Sequence, residues 1–225
     1  MGGVYVNPYA GTDQTQNLSV SLYCGDWNTD FSGNPTWNAN VYVLNAANVP
    51  NFKYGTTTQT YNLSLVNNGG TYSVSAINSA NSPDAYHRYL EEAWLDDQTF
   101  SATNLQKEEI AAALWTLFVN SSNVGTLVGD INTSGSDFVK AVYDYLQAAN
   151  TAVTTKGYLA PNWYVAVPTG LSLSGSGYTD GGQAMQEFLI HGFSGDTVPE
   201  PSAIVLLGTL LGFFAIAKFR RKQLV

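Results

Sequence analysis

The sequence predicts an α+β fold: an antiparallel β-sandwich or half-open barrel with an inserted group of about three helices, plus a C-terminal single transmembrane helix. Three observations carry this expectation. Apolar residues alternate with period two before Ser82, they follow the 3.6-residue helical period from there until strand-like runs return at Trp163, and an uncharged run occupies Ala203 to Ala217.

The strands come first. Gly2-Gly3-Val4-Tyr5-Val6 reads as an opening strand, and Leu18, Val20 and Leu22 alternate with Ser19, Ser21 and Tyr23. The same period continues through Trp37, Ala39, Val41 and Val43, then through Tyr61, Leu63 and Leu65, with Asn, Gly and Pro clusters between the runs. Ser82-Pro83-Asp84 supplies a cap and a first-turn proline for a helix that places Tyr86, Tyr89, Leu90, Ala93 and Trp94 on one face. A second helix is expected from about Leu105 to Val119, with Ile110, Ala113, Leu114, Leu117 and Phe118 as its stripe. A third follows Ser134-Gly135-Ser136-Asp137 and uses Phe138, Val139, Val142, Tyr143, Leu146 and Ala149. Strands return at Trp163–Val167 and Met185–Ile190, on either side of a Gly- and Ser-rich loop from Gly170 to Gly182. No internal repeat is present.

Charge narrows the function classes. Four of the nine Lys and Arg residues lie in the last eight positions, leaving five against 17 Asp and Glu in residues 1–201, a net of −12. Such a surface repels nucleic acid and anionic lipid. Cys24 is the single cysteine, which excludes an intrachain disulfide and every cysteine-cluster metal site. Hydrophobic residues make up 44% of the chain and charged ones only 12%, so stability must come from one sizeable core.

Residues with candidate chemistry each have a plainer structural reading. Glu91, Glu92, Asp96 and Asp97 could supply paired carboxylates for glycoside hydrolysis, but helical spacing reads as a stripe opposite the Tyr and Trp positions, hence a solvated helix face. His87 and His191 lack partners at metal-ligand or triad spacing and read as surface or helix-face residues. Asp26-Trp27-Asn28-Thr29-Asp30 offers oxygen ligands without the Gly and terminal Glu of an EF-hand, and no phosphate loop or nucleophile elbow occurs, so no metal or cofactor is expected. Tyr5, Tyr9, Trp27, Trp37, Tyr158 and Trp163 could stack on sugar rings, although most aromatics in such a chain belong to the core. Cys24 has no basic neighbour in sequence and reads as a buried, inert thiol.

The C-terminal segment reads as an address. Residues 1–194 form the expected extracytoplasmic domain, 195–201 a polar stalk ending in Pro199-Glu200-Pro201, and 202–225 a helix with a basic end. Fifteen residues from Ala203 to Ala217 rise about 22 Å as a helix, and snorkelling Lys218 extends that reach towards the roughly 30 Å of a bilayer. Lys218, Arg220, Arg221 and Lys222 follow the helix, so the positive-inside bias places the domain across the membrane from the cytoplasm. Prolines on both sides of Glu200 remove two backbone donors and hold the segment extended, a form that suits a protease or transpeptidase cleft. This order of parts resembles the PEP-CTERM sorting signal of Gram-negative bacteria. The resemblance implies recognition of Pro199, Glu200 and Pro201 by a membrane-embedded exosortase. Met1-Gly2-Gly3-Val4-Tyr5-Val6 has neither a basic n-region nor an apolar h-region, so an export signal is expected upstream of Met1.

A second set of residues widens the resemblance. Leu22-Tyr23-Cys24-Gly25-Asp26-Trp27, then Tyr89-Leu90-Glu91-Glu92-Ala93-Trp94-Leu95 and Ile110 to Phe118, is similar in order to a group of PEP-CTERM secreted proteins. It is also similar to the thioester domains of Gram-positive surface adhesins, in which an early cysteine joins a glutamine at the start of a helix. That likeness implies a reactive Cys24, yet Ala111 occupies the glutamine position, and Gln98 and Gln106 depart from the spacing. The resulting expectation is a non-enzymatic surface or extracellular-matrix protein. It would attach transiently to the inner membrane, be processed by an exosortase, and contact an envelope or matrix polysaccharide. The alternatives are an adhesin or carbohydrate-binding module, a glycoside hydrolase, and a self-assembling filament subunit.

Overall fold

A five-stranded antiparallel sheet and four α-helices organise the computed structural model, which describes residues 9–13, 18–25, 38–55, 64–67, 70–73, 85–119, 124–169, 172–174, 177–180, 183–185 and 187–192. The chain divides into two units, Met1–Phe193 and Ser194–Val225, and every described residue belongs to the first. The α+β class is therefore correct for that unit. Its N-terminal strands are β1 (Tyr9–Asp13), β2 (Leu18–Tyr23), β3 (Ala39–Val43), β4 (Ser64–Asn67) and β5 (Gly70–Ser73). Helices α1 (Ala85–Thr99), α2 (Asn104–Phe118), α3 (Val124–Thr133) and α4 (Ser136–Thr154) follow. The chain then returns through β6 (Trp163–Pro168), β7 (Ser172–Ser174), β8 (Gly177–Asp180), β9 (Gln183–Met185) and β10 (Phe188–His191).

The main sheet runs β1-β2-β10-β6-β3, every neighbouring pair antiparallel. Registers Leu189↔Tyr23, Leu189↔Val165 and Tyr42↔Val165 put these residues on one face, and there they join the helices in the principal core. The opposite face carries a smaller apolar cluster of Leu22, Ala166, Phe188 and Ile190, with Val20, Cys24 and Tyr164 against it. Apolar packing on both faces explains why β6 and β10 read as nearly continuous apolar runs instead of alternating.

Helices α1, α2 and α4 pack against one another. Ala93, Ala112, Ala113 and Ala149 are fully buried where they meet, and small side chains there let the backbones approach closely. Thr103 caps α2 in a reciprocal box: its hydroxyl accepts from the Gln106 N–H at 3.4 Å while Gln106 Oε1 accepts from the Thr103 N–H at 2.9 Å. The connection after β3 turns inward through a 3₁₀ turn at Val49–Asn51 and inserts Phe52 and Tyr54 into the core. Phe52 meets Tyr89 at 5.0 Å between ring centroids, and Tyr54 stacks on Phe118 at 4.8 Å.

Several expectations change. Four helices are present among the described residues instead of about three. Gly125 and Gly129 lower the intrinsic propensity of α3, but Leu127 and Ile131, one turn apart, are fully buried and hold it against its neighbours. The expected loop from Gly170 to Gly182 contains β7 and β8, which with β9 form a separate three-stranded sheet. The expected strand Met185–Ile190 is accordingly divided between two sheets, because β9 ends at Met185 and β10 begins at Phe188. The hairpin of β4 and β5 seats the fully buried Leu65 beside α3 and α4, and Tyr72 packs on Tyr143 at 4.8 Å. Among the described residues no helix is long and apolar enough to cross a membrane. The expected transmembrane segment, the opening strand at Gly2–Val6 and the Ser82-Pro83-Asp84 cap lie outside the described residues.

Candidate functional site

The densest polar chemistry lies along α1, and it is inside the protein. Glu91, Glu92 and Asp96 are 5%, 3% and 1% exposed, which overturns their reading as a solvated helix face. The reason is helical geometry. Tyr89, Glu92, Ala93 and Asp96 stand at i, i+3, i+4 and i+7, a single stripe, so the wall that buries Tyr89 also buries the two carboxyls. Glu91 lies on the adjoining side with Arg88 and Leu95, also buried, because α1 is enclosed on nearly every side. Tyr86 and Trp94, expected on the core face, are only half-buried.

Each acid meets a distinct set of neighbours. Glu187, immediately before β10, accepts from the Tyr89 hydroxyl at 2.5 Å through Oε1 and from the Lys53 N–H at 2.8 Å through Oε2. The Tyr89 oxygen in turn accepts from the Tyr54 N–H at 3.2 Å. This chain of bonds fastens the 49–55 connection to α1 and β10, and it satisfies two buried backbone donors. Asp97 accepts from the Tyr158 hydroxyl at 2.5 Å and from Trp163 Nε1 at 3.1 Å, joining α1 to the turn after α4 and to β6. The Glu92 carboxyl occupies the space that a side chain at residue 25 would need, so a larger residue in place of Gly25 would displace that carboxyl. Asp96 differs from the rest: both carboxyl oxygens are buried with no hydrogen-bond partner among the described residues.

Burial, offset only in part and only at Glu91 by a counter-charge, determines protonation. Burial pushes the Glu91 carboxyl up to about 8, with the Arg88 guanidinium opposing the shift. Burial and then the neighbouring Asp97 hold Asp96 well above the carboxylate range. The Tyr23 phenol is pushed up to about 12 by burial and by Asp96, while a hydrogen bond with Thr99 acts in the opposite direction. Tyr89 and Tyr158 also rise, in each case chiefly through burial and secondarily through Glu187 and Asp97 respectively. At neutral pH Glu91 and Asp96 are therefore protonated. In that form they can donate protons or hydrogen bonds.

The other candidates separate. Cys24 is half-buried and sits on the sheet face opposite Tyr23, against the smaller apolar cluster, instead of being fully buried as expected. Both glutamines considered for a thioester are engaged elsewhere, Gln106 in the α2 cap and Gln98 through a bond from Nε2 to the Trp94 carbonyl at 3.0 Å. Trp163 is fully buried and presents no open ring to a sugar, while Tyr158 is half-buried with its hydroxyl bound to Asp97. His191 lies in an aromatic group with Trp163 at 4.8 Å and Phe100 at 5.1 Å, while His87 is half-buried on α1. No cluster of three or more His, Cys, Asp or Glu that could hold a metal occurs among the described residues. Tyr5, Trp27, Trp37, Asp26 to Asp30, Pro199, Glu200, Pro201 and the basic residues Lys218, Arg220, Arg221 and Lys222 lie outside those residues, as does the side chain of Tyr9.

Sequence reasoning missed Glu187 and the parts played by Tyr23, Tyr89 and Thr99. A usable signal was present: a lone acid just before the apolar run Phe188-Leu189-Ile190, and an acid three positions after a tyrosine already assigned to the core. No family model, no curated protein and no solved structure matches this chain.

Proposed function

We propose that this is an exported, non-enzymatic surface or extracellular-matrix interaction protein, delivered and released by exosortase-type processing of its C-terminal signal. One observation carries the reading: Pro199-Glu200-Pro201, the uncharged Ala203–Ala217 run and the basic Lys218, Arg220, Arg221 and Lys222 follow one another in that order. In this account residues 202–225 form a transient inner-membrane helix with a cytoplasmic basic end. The main domain then works outside the cell, in contact with an envelope or matrix polysaccharide.

The domain's chemistry supports a binding or structural role over hydrolysis. Of the four clustered acids on α1, three are buried and the fourth, Asp97, is held by Tyr158 and Trp163. A glycosidase needs two carboxyl groups flanking an accessible bond, one of them ionised. The finer architecture we propose is a sandwich-like closure in which a further layer covers Leu22, Ala166, Phe188 and Ile190, all buried on the face turned away from the helices.

The test is replacement of Pro199-Glu200-Pro201 by three alanines in a host that contains an exosortase. Immunoblots of membrane and culture fractions should show the native chain shortened and released, and the substituted chain full-length and retained in the inner membrane. A substituted chain that is still trimmed and released defeats the proposal.

A further inference from the structure

Strand β3 presents an open edge. Among the described residues it pairs only with β6, at the end of the sheet order. The Leu44 N–H donates to the Trp163 carbonyl at 2.9 Å and the Thr169 N–H to the Asn38 carbonyl at 2.8 Å, so the even-numbered positions bond towards β6. By the antiparallel alternation, Ala39, Val41 and Val43 aim their N–H and C=O groups outward, and the Val43 carbonyl accepts there from Asn48 Nδ2 at 2.9 Å. Val41 and Val43 are 41% and 50% exposed, and Ala39 and Asn40 are also exposed.

Proteins ordinarily block such an edge with lysine, proline, a bulge or inward charge. Here no charged residue occurs between Asp30 and Lys53, in a chain whose first 201 residues carry a net charge of −12. No charge on this strand opposes the approach of a second acidic copy. Proline is absent from Ala39–Val43 as well.

We propose that β3 pairs antiparallel with β3 of a second copy of this chain about a two-fold axis through Val41, joining two five-stranded sheets into one. The sequence is self-complementary in that register. Val41 meets its own equivalent, and Ala39 meets Val43 of the partner copy, so apolar side chains oppose apolar ones on one face. On the other face Asn40 opposes Tyr42, and these two groups already bond within one strand at 3.2 Å, Asn40 Nδ2 to the Tyr42 hydroxyl. The outward-facing residues are the ones brought opposite each other, so the Val41 pair can exchange both of its backbone bonds, while the Val43 carbonyl, which already accepts from Asn48 Nδ2 at 2.9 Å, takes the partner copy's Ala39 N–H on its second lone pair or releases the asparagine. An unrelated extended peptide would not need this symmetry, and pairing with β1 would not place Val41 opposite itself. The inference is independent of the C-terminal signal.

Cysteine scanning reads the register directly. In the full chain carrying Cys24→Ser, kept in detergent, Val41→Cys should form a disulfide-linked dimer on mild oxidation, because hydrogen-bonded cross-strand Cα atoms lie about 5.5 Å apart. Val43→Cys alone should not, yet Val43→Cys mixed with Ala39→Cys should. Val66→Cys, 47% exposed on β4, serves as the control and should remain monomeric. Equal cross-linking at positions 41, 43 and 66 would overturn the proposal, as would cross-linking at none of them. Sedimentation of the unsubstituted chain must show a dimer, and Val41→Lys should weaken it at least about tenfold with an unchanged circular dichroism spectrum. A monomer at every concentration, or a dimer indifferent to the lysine, refutes it.

Discussion

Helix α1 and strand β3 invert the usual distribution of polarity in opposite directions. On α1 the acids Glu91, Glu92 and Asp96 are buried, whereas on β3 the apolar Val41 and Val43 face solvent. The difference lies in what surrounds each element. Other helices and the sheet enclose α1, so even its polar positions have nowhere else to go, and they stay neutral or find phenol and backbone partners. Among the described residues strand β3 has a neighbour on one side only. Position in the fold, not the character of the side chain, decides exposure in both places.

The largest effect should come from cutting the polar seam where it is best connected. Glu187→Ala takes the acceptor from the buried Tyr89 hydroxyl and from the part-buried Lys53 N–H. Each orphaned group costs roughly 1–3 kcal/mol, so chemical denaturation should show a loss of about 3 kcal/mol or more. Glu187→Gln keeps one acceptor oxygen and should recover part of it. A loss below about 1 kcal/mol would mean that the seam is solvated, and the contrast with β3 would disappear.

The next effect is a pH dependence of unusual sign. A carboxyl whose folded pKa is raised binds its proton more tightly in the folded than in the unfolded chain, so stability falls as pH rises between the two values. For Glu91 that window runs from its ordinary value of 4.5 to about 8, and Asp96 acts in the same direction. The domain should therefore melt at a higher temperature at pH 5 than at pH 8, by an amount on the order of a few kcal/mol in stability. Asp96→Asn removes one contributor. It should stabilise the domain at pH 8 by about 1–2 kcal/mol, do little at pH 5, and flatten the profile. Melting temperatures that fall on acidification would place these carboxyls in their ionised form.

Much of the scaffold was legible because its pattern is local. Helices α2 and α4 have unbroken apolar stripes and recognisable starts, and β2, β3 and β6 lie where alternation or a β-rich run placed them. Helix α3 was not legible, since two glycines conceal a helix that only Leu127 and Ile131 hold in place. The site was legible as a list of acids but not as a location. Periodicity identifies which residues share a stripe, and Tyr89 already marked the stripe of Glu92 and Asp96 as interior; identifying Glu187 needed long-range pairing, 98 residues away from Tyr89. Cys24 shows the same limit, because alternation puts it opposite Tyr23 without revealing that the opposite face has a core of its own.

The smallest effect separates the two regions most cleanly. Val41→Thr exchanges a methyl group for a hydroxyl at a position 41% exposed on an edge, and threonine keeps the β-branched shape that suits a strand. Folding stability should change by no more than about 0.5 kcal/mol. Val165→Thr makes the same exchange one strand inward, at a fully buried position against Leu189 and Tyr42, and should cost about 1–3 kcal/mol because the hydroxyl loses water without gaining a partner. Denaturation midpoints of the two variants, measured side by side, fix the ratio. Equal losses would show that β3 is covered, which would remove both the contrast with α1 and the open edge on which self-pairing depends.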